Sequence, residues 1–295
     1  MLPLHNMVYS DGRPGKTILW LIFIVAVALI LYLIFSGSLS SLISGGSLKG
    51  QVLQGTTAVL DMPFDNYSEL GNDRSTGNND ASEIVGATYS DVLTGQCMIN
   101  SCLSLSQTGS YAKIADSSSL DLSSEITISV WIKPTDLSST HTLVNKNDIV
   151  FTDGYYLTIA NGKIRFGIGG SILNGATAIP INDYSHITAT YDGSQMKIYI
   201  NGEPDASLPA TIAIPVNNQS LYIGSSYPLA WQFKGFIDDL QIYSQALAAD
   251  QVRQLYFQNA VLGILENQRS SADRNDVVQR HEAARQLLEV LARQL

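Results

Sequence analysis

A chain of 295 residues with 45% hydrophobic side chains can build a sizeable core, and an all-β sandwich uses about 200 residues as one domain. The net charge of −9, from 17 basic and 26 acidic side chains, excludes a nucleic-acid partner, because phosphate binding needs clustered Lys and Arg. Cys97 and Cys102 have no CxxC or Cys/His neighbourhood of the kind that zinc or thioredoxin chemistry uses; they form either a small local disulfide outside the cytosol or two semi-buried thiols.

After a short segment, 1–16, residues Thr17–Phe35 read TILWLIFIVAVALILYLIF, with no charge, Gly or Pro. Nineteen helical residues rise roughly 28 Å, near the ~30 Å of a bilayer's hydrocarbon core. Trp20 and Tyr32 stand near the two ends, where amphipathic rings favour the interface. Arg13 and Lys16 precede the run and no charge follows it before Lys49, so the expected topology is single-pass, N-terminus cytoplasmic and the rest extracellular. The competing reading is a cleaved signal peptide, whose apolar region is usually about 7–15 residues. The Ser/Gly-rich stretch 36–54 then reads as a flexible stalk.

From about Ala58 to Tyr243 the periodicity becomes two. Ile126, Ile128, Val130 and Ile132 share one face while Thr127, Ser129 and Trp131 share the other. The alternation recurs with Ile164, Phe166 and Ile168, with Ile187, Ala189 and Tyr191, and with Met196, Ile198 and Ile200. Turn pairs Asn161-Gly162, Asp192-Gly193 and Asn201-Gly202 punctuate these runs as hairpin tips do. Many short strands without intervening helices predict an all-β fold, a two-sheet antiparallel sandwich.

Three ordered blocks carry a resemblance. Gly109–Pro134 (GSYAKIADSSSLDLSSEITISVWIKP), Asp183–Glu203 (DYSHITATYDGSQMKIYINGE) and Leu221–Tyr256 (LYIGSSYPLAWQFKGFIDDLQIYSQALAADQVRQLY) resemble laminin-G-like jelly-roll domains of the concanavalin A-like lectin/glucanase superfamily. Tyr184-Ser185 stands where that family usually has Trp-His. The resemblance covers residues 55–257 and implies a jelly roll that binds carbohydrate or protein, often with calcium.

Some proteins of this fold hydrolyse glycans with two carboxylates about 5–9 Å apart across a sugar. An ExDxE run would supply them on one strand face, and none occurs; Asp238-Asp239 is adjacent, so simple alternation points the two apart. The chain is therefore expected to bind rather than to catalyse. Calcium seeks several oxygens, and the resemblance brings Asp65 and Asp238, on the first and last strands, together with the Asn72-Asp73 loop. The other reading of Asp65, Asp73 and Asp238 is that they cap turns.

Alternation directs Trp131, Tyr156, Arg165, His186, Thr188, Thr190, Lys197, Tyr199 and Tyr222 away from the core. Flat rings beside planar hydrogen-bonding groups suit a sugar, and Trp131, Tyr156, Tyr199, Tyr222 and the loop residue Trp231 are the candidate ligand contacts. Tyr and Thr also suit any half-exposed strand face, and Trp131 is either part of that surface or covered by a crossing loop. The expected partner is a carbohydrate or a cell-surface protein, the alternative role a structural surface or filament subunit. Asn66-Tyr67-Ser68 and Asn218-Gln219-Ser220 are glycosylation sequons.

The tail, 258–295, is expected to be an amphipathic helix. Val277, His281, Ala284, Leu288, Leu291 and Leu295 recur in heptad steps, with Ser271 and Asp273 as caps. So short a stripe packs either on its own sandwich or on another copy in self-association.

Overall fold

The computed structural model describes residues 56–91, 96–148, 151–226 and 229–272. The span Thr17–Phe35 and the seam 277–295 lie outside these residues, and among the described residues no helix is long and apolar enough to cross a membrane.

The described strands are β1 (Ala58–Met62), β2 (Ala81–Val85), β3 (Thr88–Asp91), β4 (Ser101–Leu105), β5 (Tyr111–Ile114), β6 (Ile126–Pro134), β7 (His141–Lys146) and β8 (Tyr155–Ala160). They continue with β9 (Lys163–Ile168), β10 (Ser171–Ala178), β11 (Ser185–Tyr191), β12 (Gln195–Ile200), β13 (Glu203–Pro209), β14 (Leu221–Ile223) and β15 (Gly235–Tyr243), before helix α1 (Ala249–Ala272). One sheet runs β13-β12-β11-β6-β15-β4-β3, with β1 also on β15; the other runs β10-β9-β8-β7-β14-β5-β2. The strand pairs are antiparallel.

The core lies between the sheets and is filled by the period-two residues. Ile126, Ile128, Val130 and Ile132 from one sheet meet Leu157, Ile159, Ile164, Phe166 and Ile168 from the other, all buried. Each such side chain contributes about 1.5–3 kcal/mol when taken from water. Asn161-Gly162 and Asn201-Gly202 turn their hairpins with both residues at positive φ, 54 and 72 in the first and 53 and 79 in the second. Asp192 closes the β11–β12 turn by accepting from the backbone N–H groups of Ser194 and Gln195.

Helix α1 starts earlier than the tail pattern suggests, and Ser271 lies inside it rather than at a cap. Gln251 reaches back to accept from the Ala248 N–H at 2.8 Å, half of a capping box, which a search for Ser, Thr, Asp or Asn overlooks. Val252, Leu255, Tyr256 and Ala260 form the buried stripe and pack on Tyr199, Tyr243 and Trp131 of the eight-stranded sheet. At Gly202, φ 79, a Cβ would stand 3.1 Å from the Tyr256 ring, so the turn brings the helix close.

Candidate functional site

The sandwich has two outer faces, and the candidate residues divide between them. On the eight-stranded sheet, Trp131 and Tyr199 point away from the core, yet each is only 3% exposed. Helix α1 is the reason. The Trp131 ring lies 5.6 Å from Tyr256, 5.0 Å from His186 and 6.4 Å from Tyr184. His186 Nε2 is 2.8 Å from Ser129 Oγ. Burial lowers the imidazole from 6.5 to about 3, so it is neutral at pH 7. A serine–histidine contact suggests a nucleophile and base, but both residues are buried beneath α1, out of a substrate's reach. Trp131 and Tyr199, expected in a ligand surface, are therefore parts of a helix interface.

The seven-stranded sheet carries the other candidates. Its register sets Lys113, Tyr222, Asn145, Tyr156 and Gly167 side by side across β5, β14, β7, β8 and β9. Beside that row runs a second, Thr142, Thr158, Arg165 and Asn174. Tyr222 leans on Tyr111 with 5.8 Å between rings, under the ammonium of Lys113 at 5.9 Å. The Tyr111 hydroxyl donates to Glu83 at 2.8 Å, and that bond, then burial, raises its pKa. Tyr156 lies over Gly167, where a Cβ would sit 2.1 Å from its ring, so only glycine fits beneath it.

At the rim of this face the aromatics emerge. Phe151 meets Tyr156 edge-on at 5.0 Å and stacks on Trp231 at 4.8 Å with planes 28° apart. Trp231 is 45% exposed, whereas Tyr156 and Tyr222 are 4% and 8% exposed. The row thus supports the rim, and at the rim Trp231 is the aromatic ring that solvent reaches. Phe151, Leu229 and Trp231 have φ of 58, 78 and 49. For non-glycine residues that conformation costs on the order of 1–3 kcal/mol each, and such strain clusters at binding sites.

Polar groups back the rim. Among the described residues, Thr142 Oγ1, Thr158 Oγ1, Asn145 Oδ1 and Asn147 Nδ2 are buried without a hydrogen-bond partner. Arg165 Nε donates to Asn174 Oδ1 at 2.9 Å. Lys146, 2% exposed at its side chain, ties the floor together through Asp116 at 2.7 Å, Asp121 at 3.1 Å and the carbonyls of Asn217 and Gln219. Asn145, Lys146 and Phe151 escaped sequence reasoning, because a lysine in a strand reads as solvated and Phe151 sits in an aperiodic turn.

The acidic candidates do not gather as one set. Asp73 is committed to its turn, accepting from the N–H groups of Asp61, Ser75 and Asn79 and from the Ser75 hydroxyl. Asp65 accepts from Arg74 at 3.2 Å and from Asn100 at 3.1 Å. Asp238 Oδ2 accepts from the Met98 and Ile99 N–H groups, at 3.0 and 2.9 Å, while its Oδ1 is buried without a hydrogen-bond partner. Strand β15 is bulged between Asp238 and Gln241, with Asp239 at φ 44, so simple alternation fails there. Burial first, then the charges of Asp239 and Asp65, raise the Asp238 pKa. Among the described residues, no group of three His, Cys, Asp or Glu stands in a metal-ligating arrangement.

Cys97 and Cys102 are joined in a disulfide, with Cα atoms 5.3 Å apart. It closes the loop whose Met98 carbonyl lies under Gly263 of α1. Asn66 is exposed and its Oδ1 accepts from the Ser68 N–H and hydroxyl; Asn218 is also exposed.

Domain 4 of AbnA, an extracellular GH43 arabinanase of Geobacillus stearothermophilus solved with arabinotriose, is 24% identical with a TM-score of 0.55, over 68% of this chain and 98% of that one. The binding domain of Paraclostridial Mosquitocidal Protein 1 is 21% identical with a TM-score of 0.54, over 68% and 52%. The botulinum neurotoxin serotype D ligand binding domain, solved with N-acetylneuraminic acid, is 19% identical with a TM-score of 0.52, over 70% and 52%. The chain thus spans about half of each toxin domain, and these likenesses show the fold. No curated protein matches the chain. The Laminin_G_3 family model matches residues 106–253, and the chain belongs to this family of the concanavalin A-like lectin/glucanase superfamily.

Proposed function

We propose that this chain is a membrane-anchored, extracytoplasmic module that binds a carbohydrate, without catalysis, at the rim of its seven-stranded sheet. The observation that carries the reading is Trp231, 45% exposed and held by stacking on Phe151. A rigid ring with one free face offers the C–H face of a sugar a flat apolar partner, and the strain at its backbone fixes it in place beforehand. The similar structures solved with arabinotriose and N-acetylneuraminic acid support a sugar as the ligand class. Anchoring rests on Thr17–Phe35 behind Arg13 and Lys16; protease treatment of intact cells is expected to remove the sandwich and spare residues 1–16.

The test is a glycan array probed with the full chain in detergent. Trp231→Ala is expected to weaken the strongest hits at least tenfold, about 1.4 kcal/mol, with unchanged folding. Binding equal to the parent contradicts the site. Release of shortened glycan from any hit contradicts the non-catalytic reading.

Calcium belongs to this proposal as a structural ion at Asp65 and Asp238. The bare Oδ1 of Asp238, buried near two further carboxylates, is the kind of oxygen a divalent cation satisfies. Asp73 does not fit, because its turn takes both of its oxygens.

A further inference from the structure

Resting on the proposed sugar site, we infer that Arg165 makes this surface selective for a sugar that bears a carboxylate. Among the described residues, Arg74, Lys113, Lys146, Lys197, Lys234 and Arg253 each stand within an ion pair of a carboxylate, and neither Arg165 nor Lys163 does. Its hydrogen bond goes to a neutral acceptor, from Nε to Asn174 Oδ1, and leaves its charge uncompensated. That bond engages Nε alone and does not use the Nη1 and Nη2 donors. Two parallel N–H donors match the two oxygens of a carboxylate, and a sulfate ester, which spreads its one charge over three oxygens, is the weaker acceptor.

The position agrees. Arg165 pairs across the sheet with Thr158, and on its own strand it lies two residues, about 7 Å, from the glycine under Tyr156. Its charge is felt at the Tyr156 hydroxyl, where it opposes the effect of burial. Tyr156 in turn supports Phe151 and Trp231, so the stacking ring and the fork lie on one face. Lys163, next on that face, is exposed and contributes field without a fork. The chain as a whole, at −9, repels anions. At physiological salt that repulsion fades beyond about 8 Å, so a preference for an acidic sugar must come from a local contact.

The experiment compares matched oligosaccharides: one with a uronic or sialic acid residue, its carboxyl-reduced counterpart, and a sulfated counterpart. The full chain in detergent is tested beside Arg165→Gln, Arg165→Lys and Lys163→Gln, with melting temperature as the folding control. The expected result is at least tenfold preference for the carboxylate form, lost in Arg165→Gln, reduced in Arg165→Lys and kept in Lys163→Gln. Equal binding of acidic and reduced forms overturns the inference while leaving the sugar site standing. Preference that survives Arg165→Gln, or equal binding of the sulfated form, overturns it too. If none of the three binds, the sugar site itself fails and the inference falls with it.

Discussion

The two outer faces of this sandwich are built from similar residues and end in opposite states. On the eight-stranded sheet, Trp131, His186, Ser129 and Thr188 point outward and are closed by α1. On the seven-stranded sheet, Tyr156 and Tyr222 also point outward, but Tyr222 is covered by its strand neighbours Tyr111 and Lys113 and Tyr156 by the loop residue Phe151, a thin cover that leaves Trp231 exposed. The lesson is that alternation along a strand decides which side of the sheet a ring occupies, while the segment crossing above decides whether a ligand reaches it. One face became an interface and the other stayed a surface.

The largest effect expected from this difference is on stability. Trp131→Ala removes a buried aromatic from between the sheet and the helix and is expected to cost about 3–5 kcal/mol in urea unfolding. Trp231→Ala, at the exposed rim, is expected to stay within about 0.5 kcal/mol. Similar costs for the two would erase the contrast.

A smaller effect is expected from calcium. An ion bound only by the folded chain adds RT ln(1 + [L]/Kd), about 2.7 kcal/mol at a hundredfold excess, and raises the melting temperature by several degrees. Asp238→Asn is expected to abolish that rise. If chelator and millimolar calcium give the same melting curve, the ion is absent and Asp238 serves the Met98–Ile99 turn alone.

Smaller still is the acid response of the covered face. The folded His186 value, about 3, lies below its ordinary 6.5, so the folded chain resists the proton that the unfolded chain accepts. Its contribution to stability is complete above pH 6.5 and is lost as pH falls toward 3, by up to about 1.4 kcal/mol per pH unit. Asp238, shifted upward, acts with the opposite sign over the range above its ordinary value. Comparison with His186→Gln separates the two, and a flatter acid limb is expected for that variant. Identical pH curves would contradict the burial of a neutral imidazole beneath α1.

Much of the fold was legible because its signals are local. Ile126–Ile132 fixes a face by period two, and the Asn-Gly pairs fix hairpins through positive φ. The cover was not legible, since nothing near Trp131 in sequence announces Tyr256, and Ala248 offers no capping side chain at the start of α1. The aromatic rim was half legible: Trp231 stood out as a loop aromatic, but its partner Phe151 comes from another turn and meets it only through the folded sheet. The acids show the same limit, for Asp73 fits its turn and Asp238 the bulge, and spacing alone distinguishes neither from a metal ligand.

The most direct test of the central claim is hydrogen exchange on the full chain in detergent, with and without the strongest glycan from the array. Binding at the rim predicts added protection in Phe151–Tyr156 and Leu229–Phe233 and none in Ile126–Ile132 or along α1. Protection confined to α1 and the strands beneath it, or release of that helix on binding, would place the ligand on the covered face and contradict the account.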